Sequence, residues 1–257
     1  MSGEFEQVAH KMRWASQQLA TLGEAITEYV NRRPYVTFIN DKPELQGYEV
    51  VYRLHEAPPP KLALLAGDFL NNAQGALDYL AWQLVVQPGS QTYFPILLPN
   101  EDGTLPTIKI ADARGKPAKL DPAVLDALDA VQPYKDGPHA RSHPLFVLKR
   151  LNRESKHREL PLLAVTIPSF SMSGFVDLPE QLPMPTNVPK RLQDEEEVKF
   201  FTYLKPPNPR MPEKIEIAAG VALEGFEEPI PPSLWDTMVA IHNRLVEDVL
   251  PRFQPFF

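Results

Sequence analysis

The 257-residue sequence contains no cysteine, so disulfide bonds and thiolate chemistry are excluded. It also lacks any run approaching the ~18 consecutive apolar residues that a membrane span needs. The first residues, MSGEFEQVAHKMRW, contain no apolar signal core. We therefore expect a cytoplasmic protein that does not associate with a membrane. The net charge of -7 disfavours a general attraction to nucleic acid, although it leaves room for a local basic patch.

Several recognisable catalytic motifs are missing as well. The sequence has no GxGxxG or GxxxxGK phosphate loop, no GxSxG nucleophile motif and no HExxH zinc motif. His139 and His143 have the i, i+4 spacing of a helical metal site, but the prolines Pro138 and Pro144 flank them and predict a solvent-facing loop instead. We therefore expect neither a metal nor a cofactor.

Hydrophobic periodicity predicts an α+β fold with a helical core and an antiparallel sheet. Apolar residues recur at helical spacing in four long segments, and a short helix is predicted after Asp121: the long segments are 4–31, 61–86, 144–159 and 233–250.

The predicted sheet comes from two parts of the chain. A hairpin is predicted over 35–54, where β-branched and aromatic runs flank NDKPELQG, and further strands are predicted within 161–225. Their short connections favour antiparallel pairing. With 29 prolines against 12 glycines, the connections are expected to be stiff. We predict a single domain over 1–257, with 87–120 as a candidate loop insertion.

A polar seam follows one edge of the predicted helix 61–86. At about 100° per residue, Asn71, Gln74 and Asp78 fall on one side, beside a broad apolar stripe. Half-buried amide and carboxylate groups need hydrogen-bond partners. The seam is therefore expected either to bond to a neighbouring helix or to line a site.

The most basic stretch is KRLNRESKHR, residues 149–158. On a helix that begins at Pro144, one side carries Arg150, Arg153 and His157, opposite a leucine face. Asn152 and Lys156 lie between the two sides. Such a helix can offer cations and a titratable imidazole to a ligand, or it can simply present a solvated basic face.

Four segments occur in a specific order and spacing: GDFLNNAQGALDYLAW (67–82), FPI (94–96), VQPY (131–134) and LNRESKHREL (151–160). They resemble a family of uncharacterised bacterial proteins. The sequence departs from the family pattern at Gln74, where the pattern favours arginine, and at Tyr79, where it often has histidine. Residues that match the pattern are Asn72, Asp78, Lys156, His157 and Arg158. The resemblance implies kinship and no activity.

A second resemblance concerns Arg150 and His157, which have six residues between them. This spacing is similar to the arginine and histidine on a late helix of the HEPN superfamily of nucleotide-binding and RNA-cleaving domains. The resemblance implies that Arg150 holds a scissile phosphate. It also implies that His157 acts as a general acid or base without a metal.

Two classes of function follow from these patterns. The favoured one is an interaction or small-ligand-binding protein with a polar network between the helices 61–86 and 144–159. Its predicted members are Asn71, Asn72, Asp78, Asn152, Lys156 and Arg158. The alternative is an HEPN-like, metal-independent ribonuclease or nucleotide-binding module that uses Arg150 and His157. The predicted partner is a small ligand or RNA, and a homodimer is compatible with both classes.

Overall fold

The computed structural model describes residues 3–43, 47–173, 197–203, 214–223 and 233–257. In this part of the chain the fold is α+β, with helices and small antiparallel sheets, which confirms the predicted class. Parts of the region 161–225, in which strands are predicted, lie outside the described residues: 174–196, 204–213 and 224–225.

The helices begin and end close to the predicted bounds. They are α1 (Gly3–Asn31), α2 (Pro60–Leu84), α3 (Pro122–Ala130), α4 (Pro144–Ser155), α5 (Leu234–Asn243) and α6 (Leu250–Phe253). A π-helical turn, Arg244–Val249, joins the last two, and a 3-10 segment, Pro133–His139, precedes α4.

Helix α4 ends four residues earlier than predicted. The backbone N–H groups of His157 and Arg158 both donate to Glu154 O at 3.0 Å, so the chain tightens into a turn after Ser155. Consequently, the helical faces assigned from sequence hold only up to that residue.

Within the described residues the strands form two antiparallel sheets, where the sequence predicts a single one. The strands are β1 (Tyr35–Lys42), β2 (Gly47–Leu54), β3 (Leu162–Ser173), β4 (Glu197–Tyr203) and β5 (Lys214–Leu223). One sheet has the order β1-β2-β4, and the other pairs β3 with β5. A strand's own pattern shows which face is buried, but it does not show which strand will be its neighbour.

The described chain divides into two compact units. The first contains Met1–Leu22, Ala63–Leu160 and Asp236–Phe257, and the second contains Gly23–Leu62 and Pro161–Trp235. The single domain over 1–257 stays a prediction. All the candidate site residues lie in the first unit. Its buried side chains come from α1, α2, α4 and the C-terminal helices, and include Val8, Met12, Leu70, Leu77, Leu148, Leu245 and Phe253.

In the second unit, the end of α1 is tied to the residues after β2. The hydroxyl of Tyr29 donates to Glu56 O at 2.7 Å, and Arg32 Nη2 pairs with Glu56 Oε1 at 2.6 Å. The Arg32 pair is exposed and adds little stability by itself. The Tyr29 bond is better protected, because that ring is fully buried.

Residues 87–120 are all described and contain no helix, and no strand beyond an isolated bridge between Ala111 and Pro117. Hydrogen bonds from side chains to the backbone stabilise this segment in place of regular secondary structure. Thr92 Oγ1 accepts from Gly89 N at 2.8 Å and donates to Ala111 O at 2.7 Å. Specific hydrogen bonds therefore hold this long loop.

His143 does not lie in a solvent-facing loop, so that prediction is wrong. Only 3% of the residue is exposed, and Nδ1 accepts from Leu145 N at 3.1 Å as the N-cap of α4. Because Pro144 is well suited to the first position of a helix, the histidine before it takes the capping position. Burial, followed by the charge of Arg244, lowers the pKa of His143 below its ordinary value.

This lowered pKa predicts a pH-dependent stability. The folded state binds the imidazole proton less tightly than the unfolded state does, so the stabilising effect is present above the ordinary pKa of 6.5 and is lost as pH falls through the folded value. His143→Asn keeps a capping acceptor and removes the titration. We expect the wild type to lose stability relative to His143→Asn between pH 7.5 and 5.5 in urea unfolding. A difference between the two proteins that does not change with pH contradicts this expectation.

Candidate functional site

Three polar side chains bind the backbone of the segment Phe94–Leu97, which has no regular secondary structure. They are Asp78 of α2, Gln132 after α3, and Lys149 of α4. The bonds are Phe94 N to Asp78 Oδ1 (3.2 Å), Gln132 Nε2 to Pro95 O (2.9 Å), Lys149 Nζ to Ile96 O (2.9 Å) and Leu97 N to Gln132 Oε1 (3.0 Å). Each of the four residues is thus held by one side-chain bond.

These bonds are needed because the segment is buried. Backbone N–H and C=O groups that leave water without a partner are costly, and this segment has no helix or strand to supply one. The ring of Phe94 packs edge-on against Phe253, with ring centroids 6.0 Å apart. Gln132 is fully buried, and its amide also donates to Leu128 O at 3.1 Å. The segments 67–82, 94–96 and 131–134 therefore meet at this point.

Asp78 is half-buried and has two hydrogen-bond donors. Besides Phe94 N, Gln74 Nε2 donates to Asp78 Oδ1 at 3.1 Å. Burial raises the pKa of Asp78, while these two hydrogen bonds and the charge of Lys156 act in the opposite direction. The free-energy cost of removing this carboxylate from water is therefore larger than the stabilisation that its hydrogen-bond donors and Lys156 supply.

Helices α2 and α4 come into contact where Gly67 faces Ser155. A Cβ atom at Gly67 would lie 3.5 Å from Ser155 Cβ, which is ordinary van der Waals contact. Lys149, near the other end of α4, reaches the segment that Asp78 holds. Asn152 lies between Ser155 and Lys149 on α4, about one turn from the Gly67 contact.

Two amide oxygens on these helices have no hydrogen-bond partner among the described residues. They are Gln74 Oε1 and Asn152 Oδ1, and both atoms are buried. Asn152 as a residue is only 4% exposed. We call Gln74 Oε1, the Asp78 carboxylate and Asn152 Oδ1 the acceptor group: Gln74 and Asp78 bond to each other on α2, and Asn152 lies on the contacting helix α4.

The two neighbouring asparagines of α2 do not join the acceptor group. Asn71 is exposed. Asn72 bonds towards α1, where its Nδ2 donates to Gln18 Oε1 at 2.9 Å and its Oδ1 accepts from Lys11 Nζ at 3.2 Å. Asn72 and Asp78 are six residues apart, which at about 100° per residue places them about 240° apart around the helix axis, so the two side chains contact different neighbours.

Four of the basic residues in the stretch 149–158 are divided between an ion-pair group and an exposed turn. Arg150 Nε and Arg158 Nη2 both approach Glu154, at 3.4 and 3.5 Å. Lys156 and His157 are exposed and follow the last residue of α4. The shared helical side proposed for Arg150 and His157 needs a helix that continues to residue 157. The ribonuclease function stays a prediction.

Sequence reasoning missed Gln132 and Lys149. The sequence signal for Gln132 is its place in VQPY, and this motif does not indicate that the side chain forms hydrogen bonds with a distant backbone segment. Lys149 belongs to a basic run in the sequence, and that run does not indicate that its ammonium group donates to the buried carbonyl of Ile96.

Two further properties complete the description of the site. Within the described residues, no three His, Asp or Glu side chains lie close enough to hold a metal ion. None of the described helices is long and apolar enough to cross a membrane.

The chain matches no protein-family model, no curated protein and no solved structure. Its own geometry is therefore the basis for interpreting the site.

Proposed function

We propose that this chain is a cytoplasmic binding protein whose acceptor group takes a small ligand that donates hydrogen bonds. The pair of buried amide oxygens, Gln74 Oε1 and Asn152 Oδ1, carries the proposal, because neither has a partner among the described residues. An unpaired buried acceptor costs about 1–3 kcal/mol. A fold that keeps two of them on contacting helices benefits when a ligand supplies the donors.

The chemistry of the acceptor group defines the class of ligand. Two amide oxygens and a carboxylate all accept hydrogen bonds, so the complementary molecule carries several N–H groups. A positive charge is also favoured, since a cation beside Asp78 offsets the burial that raises the pKa of this carboxyl. A small guanidinium or ammonium compound fits both requirements. A carboxylate ligand would place its own acceptor oxygens against the two amide oxygens and the Asp78 carboxylate, with no donor between them.

Calorimetric titration with methylguanidinium, acetamide and acetate tests the proposal. Wild-type protein is expected to bind methylguanidinium most tightly, acetamide more weakly and acetate not at all. Asn152→Leu removes one acceptor and is expected to weaken methylguanidinium binding by about 10-fold, the effect of one hydrogen bond to a charged group. Asp78→Asn keeps an acceptor for Phe94 N. It is expected to weaken methylguanidinium binding while leaving acetamide binding nearly unchanged.

A matched control is Asn31→Leu, which makes the same substitution at an exposed residue at the end of α1. It should bind all three probes as the wild type does. The proposal is overturned if the wild type binds neither donor probe, or if Asn152→Leu and Asn31→Leu bind methylguanidinium equally well.

A further inference from the structure

The loop 109–119, which we call the basic loop, concentrates positive charge in an acidic protein. It carries four cationic side chains and one carboxylate, Asp112, whereas the whole chain has a net charge of -7. All four cations are exposed and form no ion pair with the residues that the structure describes: Lys109, Arg114, Lys116 and Lys119.

The carboxylate of the basic loop accepts hydrogen bonds from the loop's own backbone. Asp112 Oδ1 accepts from Arg114 N at 2.8 Å and from Lys116 N at 3.0 Å, and Asp112 N donates to Lys116 O at 2.7 Å. These backbone donors lower the pKa of Asp112. Gly115, at the tip, has a φ of 71°, which lets the turn close. The loop thus fixes its backbone and directs its cations to solvent.

The preceding segment, 87–93, anchors the basic loop. Ala113 N donates to Gln87 O at 2.8 Å, and Thr92 Oγ1 donates to Ala111 O at 2.7 Å. A Cβ atom at Gly89 would lie only 2.5 Å from Ala113 Cα, so the two backbones are in very close contact. The base of the loop is held at three points.

An exposed aromatic residue, Tyr93, directly follows Thr92, whose hydroxyl bonds to the basic loop. Exposure alternates along the anchoring segment: Gln91 and Tyr93 are exposed, whereas Thr92 and Phe94 are buried. The amide of Gln91 reaches the loop tip, 2.9 Å from the position of a Cβ at Gly115. Tyr93 follows two residues later with 59% of its surface exposed.

We infer that the basic loop and Tyr93 form a binding surface for single-stranded nucleic acid. The unpaired cations attract the phosphate backbone, the Tyr93 ring stacks on an unpaired base, and the Gln91 amide can bond to a base edge. An acidic peptide would use the cations but would give the exposed ring no role. A duplex would keep its bases away from the ring. The inference is independent of the proposed ligand site, which uses other residues.

Fluorescence anisotropy with labelled oligo-U and oligo-dT tests this inference. If all four cations contact phosphates, a single strand should bind about 50-fold more weakly at 200 mM salt than at 50 mM. The double variant Arg114→Gln, Lys116→Gln is expected to reduce the slope of log affinity against log salt by about 1.4. Tyr93→Leu is expected to weaken binding by about 5-fold or more without changing that slope.

The control variant Lys61→Gln, Arg141→Gln removes the same charge from exposed positions outside the basic loop. It should bind as the wild type does. The inference is overturned if neither oligonucleotide binds, or if the loop variant and the control lose affinity equally. It is also overturned if polyglutamate competes as well as the oligonucleotides and Tyr93→Leu has no effect, which would assign the surface to acidic peptides.

Discussion

Replacing Gln132 by methionine is expected to lower the free energy of unfolding by about 2–5 kcal/mol, because three hydrogen bonds are lost in a buried site. Methionine keeps a similar length and volume but cannot accept from Leu97 N or donate to the carbonyls of Pro95 and Leu128. Those backbone groups would stay away from water without partners. Urea unfolding at pH 7 measures the loss.

The control for this prediction is Gln17→Met, at an exposed position of α1. A surface substitution of this kind should change stability by less than about 0.5 kcal/mol. If Gln132→Met matches Gln17→Met, then packing of the Phe94 and Ile96 side chains holds the segment, and the hydrogen bonds of Gln132 contribute nothing.

Gly89→Ala is expected to have the second large effect, a loss of about 1–3 kcal/mol. The new methyl group would lie 2.5 Å from Ala113 Cα and 3.2 Å from Ala113 Cβ. The first contact involves backbone, which cannot rotate away as a side chain can, so the basic loop must shift from its anchoring segment. Thermal unfolding, together with the anisotropy assay, measures both consequences.

Gly75→Ala provides the matched control. Its methyl group would meet only the end of the Lys11 side chain, at 3.9 Å, and the residue lies inside α2. Alanine is the better helix former there, so we expect a gain of about 0.5–1 kcal/mol. The two glycine variants should therefore change stability in opposite directions. Equal stabilities would contradict the close approach of Gly89 to Ala113.

The helices could be predicted from sequence because their periodic apolar faces are local signals. The helix predicted over 61–86 spans Pro60–Leu84 in the structure, and the helix predicted over 4–31 spans Gly3–Asn31. The end of α4 was less predictable. No proline or glycine stops the helix at Ser155, and its ending depends on two N–H groups that share the carbonyl of Glu154.

The candidate site was only partly predictable, since its key bonds join residues far apart in sequence. The polar seam predicts that Asp78 and Gln74 need hydrogen-bond partners. However, the partner of Asp78 is the backbone of Phe94, which carries no side-chain signature. Gln132 likewise reaches a segment 35 residues away. Side-chain bonds to distant backbone leave no periodic pattern.

His143 shows how one local signal can be outweighed by another. The flanking prolines argue correctly against a helical histidine pair, but the exposure predicted from them is wrong. Pro144 instead opens α4 and leaves His143 as its buried cap. The capping signal was present in the sequence, although histidine is not among the usual N-cap residues.

The stability of ligand-free Asn152→Leu tests the central claim most directly, which is that Gln74 Oε1 and Asn152 Oδ1 are unpaired until a ligand binds. Leucine has the same branching at Cγ and no polar atom. Replacing an unpaired buried oxygen by an apolar group is close to neutral or stabilising. We therefore expect urea unfolding to give Asn152→Leu a free energy of unfolding equal to or above that of the wild type. A loss of about 1–3 kcal/mol, the cost of breaking a satisfied buried hydrogen bond, would contradict the account.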